Sequence, residues 1–207
     1  MCRGEKCRTD ENGAVAKGWD HDPPAEKKVV PLGILVGLTG ALSLFFGSGG
    51  SSDFWVDGLQ YWWQRVQGEW RDIRRLVIYL DNGPDNSGRR TQFLKRMVQF
   101  ADWSGLVVRL VYYPPYHSKY NPIERCWSPL QKKWNGMLLN CWELILSGAR
   151  RMKWKGKHPV VERLEGDYAN NVRVSAKEMR NWKARLERSA ILPKYDITIT
   201  PKKPRGG

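Results

Sequence analysis

Two acidic residues stand at positions where an α/β fold brings side chains together. Asp81 follows the apolar run RLVIYL, which predicts a buried central strand with a carboxylate at its end, and Glu124 comes just after the next predicted strand. The carboxyl ends of neighbouring strands in such a sheet converge on one crevice. Two carboxylates there repel unless a cation lies between them, and Mg²⁺ accepts carboxylates while keeping positions for water and phosphate oxygens. The pair therefore predicts a metal site suited to phosphodiester chemistry.

Glu124 also has a purely structural interpretation. In Asn121-Pro122-Ile123-Glu124 the asparagine can cap a helix, the proline suits the first turn and the glutamate completes a capping box. On this tetrapeptide alone, capping is the favoured interpretation, and only the combination with Asp81 favours catalysis. Asn82 is expected to orient Asp81 through a hydrogen bond.

The elements that would position these residues follow from hydrophobic periodicity. Residues 33–38 and 41–46 read as two strands around a tight turn, and we expect them in the same sheet as residues 76–80. A further strand is predicted over 106–113. Three amphipathic helices are predicted. The first, over about 53–72, carries Trp62 on its apolar stripe and follows a link over 47–52 with a serine at a helix-capping position. The second covers about 90–103 and ends at Gly105 as C-cap, and the third covers about 175–188. This order gives an α/β fold with a mixed sheet flanked by helices.

The apolar run over residues 29–47 has a second interpretation. Its nineteen nearly uncharged residues are close to the minimum length of a membrane span. Its glycines and Pro31 would weaken a helix, and Thr39-Gly40 divides the run in two. A buried hairpin is therefore favoured, and a continuous helix over residues 32–46 would instead support a membrane protein.

Composition and charge indicate a globular protein with a polyanionic partner. The 207 residues are 41% hydrophobic and 27% charged, which excludes a mostly disordered chain. The net charge is +14, yet residues 1–80 carry ten basic and ten acidic side chains, so the whole excess lies in residues 81–207. Such a one-sided distribution is typical of a surface that follows a phosphate backbone.

Cysteine usage and the N-terminus indicate the compartment. Cys2, Cys7, Cys126 and Cys141 lack the spacing of a zinc site, so we interpret all four as free thiols in a reducing environment. The polar N-terminus is not a signal peptide. We therefore expect a cytoplasmic protein.

Two motifs carry a resemblance to a known family. LDNGPDN (residues 80–86) and YYPPYHSKYNPIERCW (residues 112–127) together resemble the DDE transposases of bacterial insertion sequences, in particular the Rhodopirellula-type transposase DDE domain, related to the mariner-like superfamily. The resemblance implies an RNase H-like fold, Mg²⁺ or Mn²⁺, hydrolysis at transposon ends and attack of the freed 3′-hydroxyl on target DNA. Asp81 matches the family's second catalytic acid and Glu124 its third, which makes both the implied metal ligands.

The chain also departs from this family. The family carries its first catalytic Asp on a first strand, and no segment before the hairpin reads as a buried strand that ends in Asp. Asp20 and Asp22 match family residues but not the catalytic position. The chain is therefore interpreted as an N-terminally truncated, inactive copy whose sheet lacks its first strand and has an exposed edge. A non-catalytic DNA-binding remnant is the alternative.

The implied partner is DNA, as transposon ends and target, with a possible homo-oligomer, no membrane and no small-molecule cofactor. The cations expected to contact DNA are Lys119, Arg125, Lys132, Lys133, Lys177, Arg180 and Lys183. Four regions are expected along the chain: a polar irregular segment over 1–28, an RNase H-like catalytic core over 29–150, a basic helical extension over 151–192 and a disordered basic tail over 193–207.

Overall fold

The computed structural model describes residues 28–114, 116–137 and 139–204. Cys2, Cys7 and nearly all of the polar N-terminal segment lie outside these residues. The strands are β1 Val30–Leu35, β2 Leu42–Gly47, β3 Arg75–Leu80, β4 Val107–Tyr112, β5 Val160–Arg163, β6 Leu186–Arg188 and β7 Asp196–Ile199. The α-helices are α1 Ser52–Val66, α2 Thr91–Ser104, α3 Glu124–Trp134, α4 Trp142–Arg150 and α5 Ala176–Lys183, and Ser118–Tyr120 forms a short 3₁₀ helix.

The chain divides into two compact units, each made of two separate stretches of sequence. The first unit comprises Met1–Ser48 and Pro122–Glu165, and the second comprises Gly49–Asn121 and Gly166–Gly207. Residues 29–150, expected to form one catalytic core, contribute elements to both units. Residues 151–192, expected to form a basic helical extension, supply β5 to the first unit and α5 and β6 to the second.

The first unit contains a three-stranded mixed sheet in the order β1-β2-β5. β1 runs antiparallel to β2, with Val30 opposite Gly47 and Leu35 opposite Leu42. Gly40 closes the turn between them with a φ of 71°, a left-handed conformation that glycine adopts without strain. The predicted hairpin is therefore confirmed in place of a continuous helix. Among the described residues, every helix is too short or too polar to cross a bilayer.

The core of the first unit lies where α3 and α4 pack with the sheet. Phe46 is fully buried in β2, and its ring meets Trp134 of α3 edge-on at a centroid distance of 5.9 Å. Leu130, Ile145 and Met152 belong to the same buried cluster. The apolar run that resembled a membrane span is thus accounted for by burial inside the protein.

The second unit contains a four-stranded mixed sheet in the order β3-β4-β7-β6. β3 and β4 are parallel and are joined through α2, while β7 is antiparallel to both β4 and β6. The expectation that the hairpin shares a sheet with residues 76–80 is therefore wrong. β3 is also not the buried central strand that was predicted: it occupies the sheet edge, and Val77 and Tyr79 are exposed.

The C-terminal part of the chain is more ordered than predicted. Asp196–Ile199, expected within a disordered tail, forms β7 between β4 and β6, and Ile197 and Ile199 are fully buried. α5 ends at Lys183 instead of continuing to residue 188, because residues 186–188 extend to pair with β7 as β6.

The helices α1 and α2 follow local signals in the sequence. The hydroxyl of Ser51 accepts a hydrogen bond from the backbone N–H of Phe54, which caps α1. α1 ends at Val66, six residues before the predicted end, just ahead of Gly68. Trp62 is buried, as its place on the apolar stripe predicted. α2 ends at Gly105, whose φ is 70°, so the predicted C-cap is confirmed.

Candidate active site and basic surfaces

Asp81 lies immediately after β3, and its carboxylate is held by two hydrogen bonds. The Oδ1 atom accepts from the Asn86 side-chain amide at 2.9 Å and from the backbone N–H of Gly83 at 3.3 Å. Asn86 is only 2% exposed, whereas Asp81 is exposed to solvent. A buried amide therefore fixes the orientation of an acid that solvent and ligands can reach.

The loop between β3 and α2 is fastened to elements on either side of it. The hydroxyl of Ser52, at the start of α1, donates to the carbonyl of Asp85 at 2.7 Å. The guanidinium of Arg188 donates to the carbonyl of Gly88, also at 2.7 Å. These bonds hold Asn86, and through it Asp81, on a packed framework instead of a free loop.

Asn82, the residue expected to orient Asp81, makes no hydrogen bond to it among the described residues. Its backbone has a φ of 62°, so Asn82 serves the tight turn that leaves the strand. Asn86 takes the expected role. The DNGPDN segment contains both asparagines, and spacing alone does not tell which amide folds back onto the acid.

Glu124 stands at the beginning of α3 and is exposed. The predicted asparagine cap is wrong: the helix starts at Glu124 itself, with Ile123 at the capping position and no side-chain cap. The backbone N–H groups of Arg125 and Cys126 donate to the carbonyls of Pro122 and Ile123, each three residues earlier, which is 3₁₀ geometry. This tighter turn takes the place of an asparagine cap.

The residues around Asp81 fit one ligand of a hard divalent cation. Oδ1 is engaged by Asn86 and Gly83, while Oδ2 makes no hydrogen bond in the described part of the chain. Mg²⁺ needs few protein carboxylates because it retains several waters. Within the described residues no group of three His, Cys, Asp or Glu side chains converges on one point. Asp81 belongs to the second unit and Glu124 to the first, so their pairing stays a prediction.

A second acidic pair, Asp53 and Asp57 on α1, serves packing. Asp53 accepts from the side-chain amide of Gln92 at 2.9 and 3.0 Å, and Asp57 pairs with Arg96 of α2. Tyr168 also donates to Asp57 at 3.3 Å. Partial burial raises the pKa of Asp57 above its usual value, although Arg96 and Tyr168 act to lower it. These acids tie helices together.

The cations predicted to contact DNA are distributed over both units. The side chains of Lys177, Arg180 and Lys183 are exposed on α5 of the second unit, and Ser175 caps that helix through the N–H of Glu178 at 3.2 Å. Lys119 lies in the 3₁₀ helix with its amine 5.3 Å from the centre of the Tyr120 ring. The first unit carries the other three, Arg125, Lys132 and Lys133, all on α3 and all exposed.

Two further cations, missed from the sequence, join the lysines of α3. A groove of about 510 Å³ in the first unit, here called the basic groove, is lined by Pro129, Lys132, Lys133, Arg151 and Lys153. Arg151 and Lys153 belong to the dense basic stretch that follows α4. A charge run alone does not tell which members face a common surface, and so sequence reasoning left them unassigned.

Comparison with protein families gives one match. A family model described as Rhodopirellula transposase DDE domain covers residues 3–201 of the 207. Comparison with curated proteins and with solved structures gave no match.

Proposed function

Since the chain belongs to the Rhodopirellula transposase DDE domain family, we propose that it is a transposase DDE domain whose metal site contains Asp81 and Glu124, in a copy that does not cleave DNA by itself. The geometry of Asp81 supports this most directly. Its carboxylate is exposed, fixed through one oxygen by the buried Asn86 and left open at the other. An acid that only stabilised the loop would have no need of an accessible oxygen.

In the proposed site Asp81 and Glu124 would hold a divalent ion, Mg²⁺ or Mn²⁺. When bound, such an ion lowers the pKa of an attacking hydroxyl and stabilises charge on phosphate oxygens. The protein's own contribution is orientation. Asn86 and the N–H of Gly83 both bind Oδ1 of Asp81 and fix the orientation of the carboxylate. Oδ2 is therefore already oriented before an ion would bind.

The family's reaction needs a third acid, and the sequence supplies two in matching positions. We expect the isolated 207-residue chain to show no cleavage or strand transfer above background with Mg²⁺ or Mn²⁺. A misplacement of about 1 Å at the reacting atoms already costs on the order of a hundredfold in rate. Robust cleavage that disappears in Asp81→Asn and Glu124→Gln would refute this two-acid interpretation and would leave Asp20 or Asp22 as the completing acid.

Metal binding tests the site independently of turnover. Titration with Mn²⁺, followed by the electron paramagnetic resonance signal of the free ion, should give at least tenfold weaker binding for Asp81→Asn than for the wild type. Asp85→Asn is the matched control, because this acid is in the same loop but its carboxylate faces Arg90 at 3.8 Å. Equal Mn²⁺ affinity in all three proteins would contradict a metal site at Asp81.

The second candidate function is DNA binding without catalysis. It is favoured by the excess of positive charge in residues 81–207 and by the exposed cations of α5. Salt-sensitive DNA binding in the absence of Mn²⁺ binding would select this function. Replacing the cations of α5 with alanine should then flatten the dependence of log K on log salt.

A further inference from the structure

We infer that the basic groove of the first unit is a DNA-phosphate site in its own right, separate from α5. This inference rests on the proposed function, because the proposed function identifies the bound polyanion as DNA. It adds Arg151 and Lys153 to Lys132 and Lys133, which the sequence already indicated as DNA contacts, and assigns all four to one surface of the first unit.

The four cations of the groove come from two segments of the first unit. Lys132 and Lys133 occupy the last turn of α3, and Arg151 and Lys153 follow the end of α4. Within the described residues none of the four lies within ion-pair distance of a carboxylate. Other cations of the protein, such as Lys95, Arg109 and Arg185, are each paired with an acid and are thereby neutralised within the fold. Unpaired like charges around one concavity repel, and a bound anion removes that cost.

The backbone that carries these cations is held firmly. On α3, Leu130 is buried and the Trp134 indole donates to the carbonyl of Ile145 at 3.0 Å, which ties the end of α3 to α4. Beyond α4, the fully buried Met152 separates Arg151 from Lys153. The charges are thus carried by packed elements, so little backbone conformational entropy is lost when an anion binds.

A tight turn follows Lys153 directly. Trp154 and Lys157 exchange both backbone hydrogen bonds, at 2.8 and 3.0 Å, around Lys155 and Gly156. The φ values of those two central residues are 47° and 79°, as in the two-residue turns of β-hairpins. Because the turn starts directly after Lys153, it restricts the direction in which that lysine leaves the backbone.

The chemistry of the groove favours a chain of phosphates over a single anion. Its four cations are exposed and line a cleft that is open to solvent, whereas a small anion is usually bound by groups that converge and are largely buried. Lysines and arginines on a surface of this kind neutralise successive phosphates of a nucleic-acid backbone and release counterions.

The test compares three triple-alanine variants that each remove three positive charges. The groove variant replaces Lys132, Lys133 and Lys153, the helix variant replaces Lys177, Arg180 and Lys183, and the control replaces the exposed Arg71, Arg74 and Lys194. Binding of each full-length protein to a fluorescent 30-base-pair duplex is measured by anisotropy between about 50 and 300 mM salt, without divalent metal. Circular dichroism verifies that each variant is folded.

We expect the groove variant to bind at least tenfold more weakly than the control at about 0.1 M salt, with its slope of log K against log salt reduced by about 2 to 3. If the wild type binds DNA and only the helix variant binds more weakly, the groove inference is overturned and the proposed function stays intact. Absence of DNA binding by the wild type would overturn both.

A competition experiment separates DNA from small polyphosphates. Inorganic tripolyphosphate should displace the duplex only at phosphate concentrations far above that of the DNA, because it spans fewer contacts. Displacement at equal phosphate concentration would refute DNA as the ligand. The groove assay contains no metal, so a failure of the Asp81 site in the Mn²⁺ titration does not affect it.

Discussion

Replacing Gly148 with alanine should destabilise the protein, although the same change inside a helix usually has the opposite effect. Gly148 lies in α4, where alanine is favoured over glycine by about 1 kcal/mol. A Cβ atom built there would lie 2.6 Å from Cδ1 and 2.8 Å from Nε1 of Trp134, well inside contact distance. The indole would have to move away.

The cost of moving Trp134 exceeds the gain in helix propensity, so the change in stability is a net loss. Moving Trp134 strains its hydrogen bond to Ile145, worth about 1 kcal/mol, and disturbs its edge-on contact with the buried Phe46. Overpacking in cores costs roughly 1–3 kcal/mol. Together these exceed the gain in helix propensity, so we expect a net loss of about 1–3 kcal/mol in the free energy of unfolding.

Urea unfolding followed by circular dichroism measures this loss. Gly37→Ala is the matched control, because a Cβ atom at Gly37 meets nothing within 4 Å, and this change should be close to neutral. In a Trp134→Phe background, where the ring is smaller, Gly148→Ala should cost less than in the wild type. A stabilising Gly148→Ala, or an equal cost in both backgrounds, would refute the steric reasoning.

Two further experiments test the ionisation of Cys126 and of Asp102. Burial raises the pKa of the Cys126 thiol to about 11, so a thiol reagent at pH 8 should label the exposed Cys141 at least a hundredfold faster; equal rates in the folded protein would contradict that burial. Partial burial of Asp102 acts to raise its pKa, but hydrogen bonds from Arg185 and from the backbone N–H of Lys202 outweigh this and lower the pKa below its usual value. This acid therefore stabilises the fold above its ordinary pKa and loses that effect as the pH falls through the lowered value. Asp102→Asn should cost about 1–2 kcal/mol at pH 7 and progressively less below about pH 4, and a cost independent of pH would show that the ion pair contributes nothing.

The sequence predicted best those elements whose signals are local. The α2 helix and its Gly105 cap, the Ser51 cap of α1 and the β1–β2 hairpin all depend on residues within a few positions of one another. Periodicity and capping act over that range, so a single sequence contains them in full.

Pairing between distant segments was predicted poorly. β3 was expected in a central position because RLVIYL is apolar almost throughout. An apolar run does not determine whether a strand pairs on one side or on both, and β3 pairs only with β4. β7 was missed because its four residues DITI stand in a basic, proline-flanked stretch. Their burial comes from β4, which lies almost ninety positions earlier in the chain.

The sequence proposed the acids of the candidate site but not the residues that support them. Asp81 was proposed from its place at the end of a strand, which the structure confirms, and its role as a metal ligand stays a prediction. Asn86 was not proposed, because the bond from its amide to Asp81 arises from how the loop folds back, for which no periodic pattern exists. Arg151 and Lys153 were missed for a related reason, since their common surface with α3 is created only by packing.

The interleaving of the two units has a consequence for synthesis on the ribosome. β2 emerges early, but its parallel partner β5 follows only after the whole first stretch of the second unit has been translated. β4 must likewise wait for β7, which lies between β4 and β6 in the sheet. Nascent chains therefore expose unpaired apolar strand edges until β7 has been translated, and strand edges of this kind recruit other chains. Slow translation of residues 166–199 should lengthen the period in which the nascent protein aggregates.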